Sequence, residues 1–243
     1  MLMKPHPILI ALLIILLTGL PFGPAVRADA SLTPHAAEYK VKISVLGGRL
    51  ATQLTKTGNG YRGRSLIEAT GMSSVIVRGD IVESSEFDVS ADGLRPNRFI
   101  SDDSLTKDKE QVDLSFDWEQ GEITGTINGE SFNTELDGIV HDRVSLQYGL
   151  MHDLVNGVHQ TDYLLQDAEE LKPLSITNLG SKSVKVPFGS FEAVGIQHQR
   201  AGSSRVTTLW CVEELGYLPV IIEQRRKGKL QLRAVLTDYQ PNT

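Results

Sequence analysis

Apolar and polar residues alternate with a period of two along most of this chain, and the alternation is interrupted once. Tyr39, Val41, Ile43 and Val45 fall on one face of an extended segment, with Lys40, Lys42 and Ser44 on the other, the pattern of a half-buried strand. Val112, Leu114, Phe116 and Trp118 alternate in the same way with Asp113, Ser115 and Asp117. Strands are expected over 39–45, 50–57, 61–69, 75–78, 81–89, 94–101, 112–118, 122–127 and 131–136, then over 162–166, 174–186, 191–200, 205–212, 220–226 and 230–239. The breaks carry turn residues: Gly47-Gly48, Gly58-Asn59-Gly60, Asp92-Gly93, Glu119-Gln120-Gly121, Asn128-Gly129 and Pro187-Phe188-Gly189-Ser190. Asn-Gly and Asp-Gly suit the positive φ of two-residue hairpins, so neighbouring strands are expected to pair antiparallel.

The interruption lies over 142–155. Val144, Tyr148, Met151 and Val155 are spaced 4, 3, 4, while Leu146, Leu150 and Leu154 repeat every four, which gives one wide apolar face at the helical period. Asp142 is a natural N-cap and Asn156-Gly157 a C-terminal stop. Gly149 inside this helix costs about 1 kcal/mol relative to Ala, so close packing against something flat, such as a sheet, is expected there. The fold class that follows is mainly β: a large twisted antiparallel sheet, open or partly closed like a barrel, with one apolar helix on its concave face. No linker, internal repeat or low-complexity tract divides 29–243, which read as a single domain. The competing layout is two sheet subdomains joined by the helix at 142–155.

The N-terminus reads differently. Lys4 precedes a run of 13 residues, Ile8 to Leu20, broken by Pro21-Phe22-Gly23-Pro24. A membrane-spanning helix needs about 20 apolar residues, so residues 1–28 read as a cleavable secretory signal peptide, cut after Ala28 or Ala30. The expected location is the periplasm, and the processed chain is not expected to be an integral membrane protein. Removing 1–28 leaves 22 basic against 30 acidic side chains, a net charge of −8, which argues against nucleic acid and against an anionic lipid surface as partners. The chain has one cysteine, Cys211; a lone thiol in an oxidising compartment is expected to be buried and inert.

Motifs for chemistry are missing. Five histidines follow the leader: His35, His141, His152, His159 and His198. They form no His-Glu-x-x-His, and a single cysteine cannot form Cys-x-x-Cys. No metal and no cofactor is expected, and these histidines read as separate surface or capping residues. Asp88, Ser90, Asp92 and Gly93 begin like a calcium loop, but Phe99 stands where the twelfth-position Glu belongs. There is no Gly-x-Ser-x-Gly elbow, no Gly-rich phosphate loop, and no catalytic residue to name.

Several segments together resemble one family. Val186-Pro187-Phe188-Gly189-Ser190-Phe191-Glu192-Ala193 is similar to its Val-Pro-x-Gly-x-Phe-x-Ala turn. Trp210, Leu218-Pro219-Val220, Leu236 and Tyr239 resemble its ending, Asp142-x-x-Ser145-Leu146-x-Tyr148 its helical segment, and Phe116-Asp117-Trp118 its mid-chain strand. On these motifs, over about 36–240, the chain resembles the exported bacterial proteins called domain of unknown function 3108. The resemblance implies a Gram-negative periplasmic setting and a mostly β fold, and it supplies no activity.

Two functional readings remain. In the first, the protein is a non-catalytic binding module for a lipid or other apolar ligand, with Tyr148, Leu150, Met151 and Leu154 lining a cavity and Trp118 and Trp210 as aromatic walls. In the second, it is a structural or interaction protein of the envelope. Its partner, another protein or the cell-wall polymer, would be met by a sheet edge or by the basic hairpin Arg225, Arg226, Lys227 and Lys229. An enzyme, such as an unrecognised hydrolase, would require a cleft where Asp, Glu or His converge.

Overall fold

A computed structural model of the chain describes residues 31–58, 60–90 and 93–242. The signal peptide expected over 1–28, its cleavage positions, Asn59 and Asp92 lie outside the described residues.

Eight strands run in sequence order as a first meander: β1 His35–Ile43, β2 Leu46–Thr57, β3 Gly60–Ala69, β4 Asp80–Ser90, β5 Gly93–Asp103, β6 Glu110–Asp117, β7 Glu122–Ile127 and β8 Glu130–Glu135. The two-residue β9, Val140–His141, leads into the helix at Ser145–Val155. A second meander follows: β10 Asp162–Asp167, β11 Glu170–Val186, β12 Gly189–Arg200, β13 Arg205–Val212, β14 Leu218–Arg226 and β15 Lys229–Pro241. The meanders join through β1 and β15, which pair antiparallel from His35↔Pro241 to Ile43↔Leu232. The result is one 15-stranded sheet in the order β8 to β1, then β15 to β9. It is mixed, because β9 pairs parallel with β10, and it remains open between β8 and β9.

On β1, His35, Ala37, Tyr39 and Val41 are buried and Lys40 and Lys42 exposed, as period two requires. Two local readings are corrected. The first turn falls at Ser44-Val45, and Gly47-Gly48 lie inside β2. There a side chain on Gly48 would meet the Glu68 carbonyl of the neighbouring strand at 2.8 Å, so this glycine serves close strand approach. Residues 75–78 do not form a strand either: a four-residue helix, α1 (Ser73–Ile76), connects β3 to β4.

The second helix, α2 (Ser145–Val155), shows how far the sheet curls. Its residues pack on Phe87 of β4 and share a core with Ile196 of β12. These strands lie seven positions apart in the sheet order, roughly 34 Å if flat, whereas a helix with side chains is about 10–12 Å across. The sheet therefore wraps the helix. Among the described residues no helix is long and apolar enough to cross a membrane.

Cys211 is fully buried, and burial pushes its thiol up to about 12. Maleimide labelling of the native protein should run below about a tenth of the rate in guanidinium, since the thiolate is the reactive form. Equal rates would show that β13 opens readily.

Candidate functional site: the clefts around the buried helix

The start of α2 is fixed from both halves of the sheet. Asp142 is wholly buried; one carboxylate oxygen accepts the amides of Val144 and Ser145 at 2.8 Å each, and the other accepts the Ser85 hydroxyl at 2.6 Å. The Ser145 hydroxyl in turn accepts the Asp142 amide at 2.9 Å. This is a reciprocal cap docked onto β4. Arg143 then reaches Glu83 of β4 and Glu110 of β6 at 2.8 Å, and Asp167 of β10 at 3.1 Å. Burial raises the Glu83 carboxyl and the Arg143 guanidinium opposes that rise.

The helix turns two different faces to the sheet. Tyr148 fills the space over Gly63, where an added Cβ would lie 2.4 Å from its ring. Its ring stacks on Phe87 with centroids 5.5 Å apart and meets His35 at 6.2 Å. Met151 belongs to the same core. Leu150 and Leu154 face the other way, into a separate cluster with Tyr163, Ile196, Leu209 and Cys211.

Packing is incomplete on that second side. A cleft of about 150 Å³ is lined by Leu146, Leu150, Tyr163, Ile176, Leu209 and Ile222, with Arg143, Gln147 and His198 as its polar groups. A second, of about 230 Å³, shares Leu150, Tyr163 and Ile176 and continues along Leu154, Val158 and Ile196. Burial lowers His198 to about 4, so it stands neutral at physiological pH.

A third cleft, of about 340 Å³, meets the second at Gln160 and Tyr163. His141, Asp153 and Asp162 line it with Gly149 and Leu94. The Tyr163 hydroxyl donates to Asp153 at 2.5 Å, and burial together with that bond raises the phenol well above its ordinary value. His141 is buried and lowered to about 4 by desolvation, which Asp153 opposes; its Nδ1 has no hydrogen-bond partner among the described residues. Its ring lies against Gly149, where an added Cβ would come within 2.6 Å of Cε1. The close neighbour of Gly149 is thus the His141 imidazole. Asp and His do converge here, but no serine, threonine or cysteine lines the cleft among the described residues, so it lacks the nucleophile of a hydrolase triad. Among the described residues no group of three or more His, Cys, Asp or Glu could hold a metal ion.

Of the residues singled out in the sequence, Leu150 and Leu154 line the apolar clefts, and Tyr148 and Met151 fill the opposite core. Trp118 lies at the end of β6, its indole N–H donating to the Pro96 carbonyl at 2.7 Å and its ring under Arg95. Trp210 covers Gly195, with Lys182 Nζ 3.5 Å above its ring. It pairs with Gly195 while Leu209 pairs with Ile196, so it lies on the sheet face away from the cleft. Neither tryptophan walls the clefts; Tyr163, Ile176, Ile196 and Ile222 do. Three of the histidines depart from a surface reading, since His35, His141 and His152 are buried, whereas His159 is exposed as that reading has it. Alternation marked Leu209 and Ile196 as strand residues, but the strands that meet the helix are set by the curl of the sheet. The basic hairpin is exposed at the β14–β15 turn, and none of Arg225, Arg226, Lys227 and Lys229 lines these clefts.

The family model described as "Protein of unknown function (DUF3108)" matches residues 36–234. The chain belongs to this family. A crystal structure described as a beta-barrel-like protein of domain of unknown function DUF1849, from Brucella abortus, is similar over 87% of this DUF3108 chain and 99% of that one, with 14% identity and a TM-score of 0.58. That likeness is one of fold. No curated protein matches the chain. The DUF3108 motif residues are largely occupied in packing. The Phe188 amide donates to the Leu236 carbonyl at 3.2 Å and its ring meets Tyr239 edge-on at 6.2 Å, which pins the β11–β12 hairpin tip to β15.

Proposed function

We propose that this protein is a non-catalytic periplasmic binding module that holds an apolar chain, such as a lipid acyl group, between α2 and strands β10–β14. The observation that carries this reading is the unfilled apolar seam on one side of α2, lined from the helix by Leu146, Leu150 and Leu154. On the opposite side of the same helix the Tyr148 ring fills the space over Gly63, and the cleft of about 160 Å³ beside it carries charged groups, Arg64, Glu83 and Arg143, among its lining. Ligand sites are typically apolar clefts with a few polar groups that fix orientation. Here the seam leads at Tyr163 into the polar cleft of His141 and Asp153, which suits a ligand with an apolar chain and a hydrogen-bonding end. Export to the periplasm fits the leader-like sequence over residues 1–28 and the resemblance to exported proteins.

Native mass spectrometry of the protein purified from periplasm, with lipid extraction of the same sample, tests the reading. A stoichiometric acyl species is expected. Ile176→Trp, which fills the seam from the sheet side, should reduce uptake of a fluorescent fatty acid at least about tenfold with little change in melting temperature, since the added ring occupies space that is now empty. A clean apo mass together with no fatty-acid uptake by the unmodified protein would overturn it.

A further inference from the structure

Three connections lie together at one end of the sheet. The β1–β2 turn carries Val45, the β3–β4 connection carries α1, and the β14–β15 turn carries Lys227 and Gly228. Hydrogen bonds link them: the Gly47 amide donates to the Ser73 hydroxyl at 2.8 Å, the Thr70 amide to the Gly47 carbonyl at 3.1 Å, and the Ser44 amide to the Gln231 carbonyl at 3.3 Å. Val45, Met72, Ile76 and Val75 are the four most exposed large apolar side chains among the described residues, at 69–88%. All four sit on this end, and Ile43 and Leu230 beside them are also exposed. Monomeric soluble proteins seldom gather bare apolar side chains in this way without a use for them.

The charge around this tip runs against the rest of the chain. Lys40, Lys42, Arg78, Arg226, Lys227 and Lys229 are exposed and have no ion-pair partner among the described residues. Glu223 is shared by Arg225 and Arg233 at 3.5 Å each, and Glu68 is held by Arg49 at 2.9 Å. Beside the turns, Lys40, Lys42 and Arg233 border a shallow concavity of about 550 Å³ floored by Leu230 and Val235. The next connection along the sheet is mixed in sign, with Asp102, Asp103 and Asp108 beside Lys107 and Lys109, so the cationic excess ends there. A protein with a mature charge of −8 thus presents bare aliphatic groups ringed by unpaired cations at one tip.

The geometry points to a membrane-docking tip: Val45, Met72, Val75 and Ile76 enter the interfacial layer of an anionic bilayer while Lys42, Arg78, Lys227 and Lys229 meet its phosphates. Lipid is favoured over a protein or polymer partner because the apolar groups are scattered over three short turns. They form no groove that a helix or strand could fill, while the cations flank them as headgroup contacts would. The bound state is peripheral, an insertion of side chains by an otherwise folded domain. The inference does not depend on the acyl-binding seam, which lies elsewhere in the molecule.

Co-sedimentation of the mature protein with vesicles tests it. Binding to phosphatidylcholine vesicles containing phosphatidylglycerol should exceed binding to phosphatidylcholine alone at least about tenfold, and should fall steeply as salt rises through the screening range. Lys227→Glu combined with Lys229→Glu should reduce binding to the anionic vesicles about tenfold, and Val75→Ser combined with Ile76→Ser should do so at any salt, since the two kinds of contact contribute separately. These positions are exposed, so melting should be unchanged. The seam-filling Ile176→Trp should bind vesicles normally, which separates failure of this proposal from failure of the acyl-chain reading. No preference for anionic vesicles would overturn it. So would a concentration-dependent dimer that the Val75 and Ile76 changes dissolve while vesicle binding is absent, because the tip would then be an interface between copies.

Discussion

Asp142→Ala is expected to lower the unfolding free energy by about 3 kcal/mol, among the largest losses from a single substitution outside the aromatic core. Removing a helix cap costs about 1–2 kcal/mol. Here the Ser85 hydroxyl and the capped amides also lose their acceptor in a fully buried site, and a buried group left unsatisfied costs about 1–3 kcal/mol. Asp142→Asn keeps a carbonyl oxygen for the amides and offers its NH₂ to Ser85, whose hydroxyl can accept as well as donate, so its cost should be about 1 kcal/mol. Urea unfolding followed by the fluorescence of Trp118 and Trp210 measures both variants. A loss below about 1 kcal/mol for Asp142→Ala would mean that the helix is held by its apolar packing, with the cap contributing little.

This residue also shows what the sequence could reveal. Asp142 as N-cap, Asn156-Gly157 as stop and the spacing of Val144, Tyr148 and Met151 are local signals; the helix ends at Val155 as they place it, and begins at Ser145, with Asp142 capping it from three residues before. Most strands are equally local, because alternation and turn residues report on a few neighbours at a time. The short helix α1 is the exception: Val75-Ile76-Val77 reads as a strand by composition, but a strand there would need a partner along its edge, and β3 already pairs with β4. The wrapping of the sheet is not local. It depends on β1 meeting β15 across nearly the whole chain, and it decides that Leu150 and Leu154 meet Tyr163, Ile196 and Leu209 while Tyr148 meets Gly63. For that reason Gly63 and Gly149 could be seen as glycines but not as the seats of two rings. The motif residues that identify the family proved a poor guide to the clefts, since Phe188, Tyr239 and Asp142 hold the architecture together, and the cleft walls come from ordinary alternating strand positions that no motif marks.

Acid should destabilise the protein before its carboxylates reach their ordinary range. Burial lowers His141 from 6.5 to about 4, lowers His198 to about 4, and lowers His35. A group whose folded value is depressed contributes stability that is present above its unfolded value and is lost as pH falls toward the folded one. The window is therefore pH 6.5 down to about 4, where the unfolded chain takes up protons that the native chain refuses. For His141, which is buried against Gly149 and Tyr163, the difference corresponds to about 3 kcal/mol by the lower end of that window; His198, beside an open cleft, should contribute less. Two buried carboxyls act in the opposite sense. Burial raises Asp142 and Glu83, so their protonated forms favour the folded state as pH falls, and they offset part of the loss at its acid end. The net expectation is a stability curve that declines from pH 6.5 and flattens towards pH 4. Chemical denaturation at half-unit pH steps would trace it. His141→Gln should lower stability at neutral pH, because an amide replaces a ring fitted against Gly149, and should also make the decline between pH 6.5 and 4 shallower by about 3 kcal/mol. An unchanged slope in that variant would show that the His141 imidazole reaches its proton in the folded protein, and that the cleft it shares with Asp153 and Tyr163 is wetter than its burial indicates.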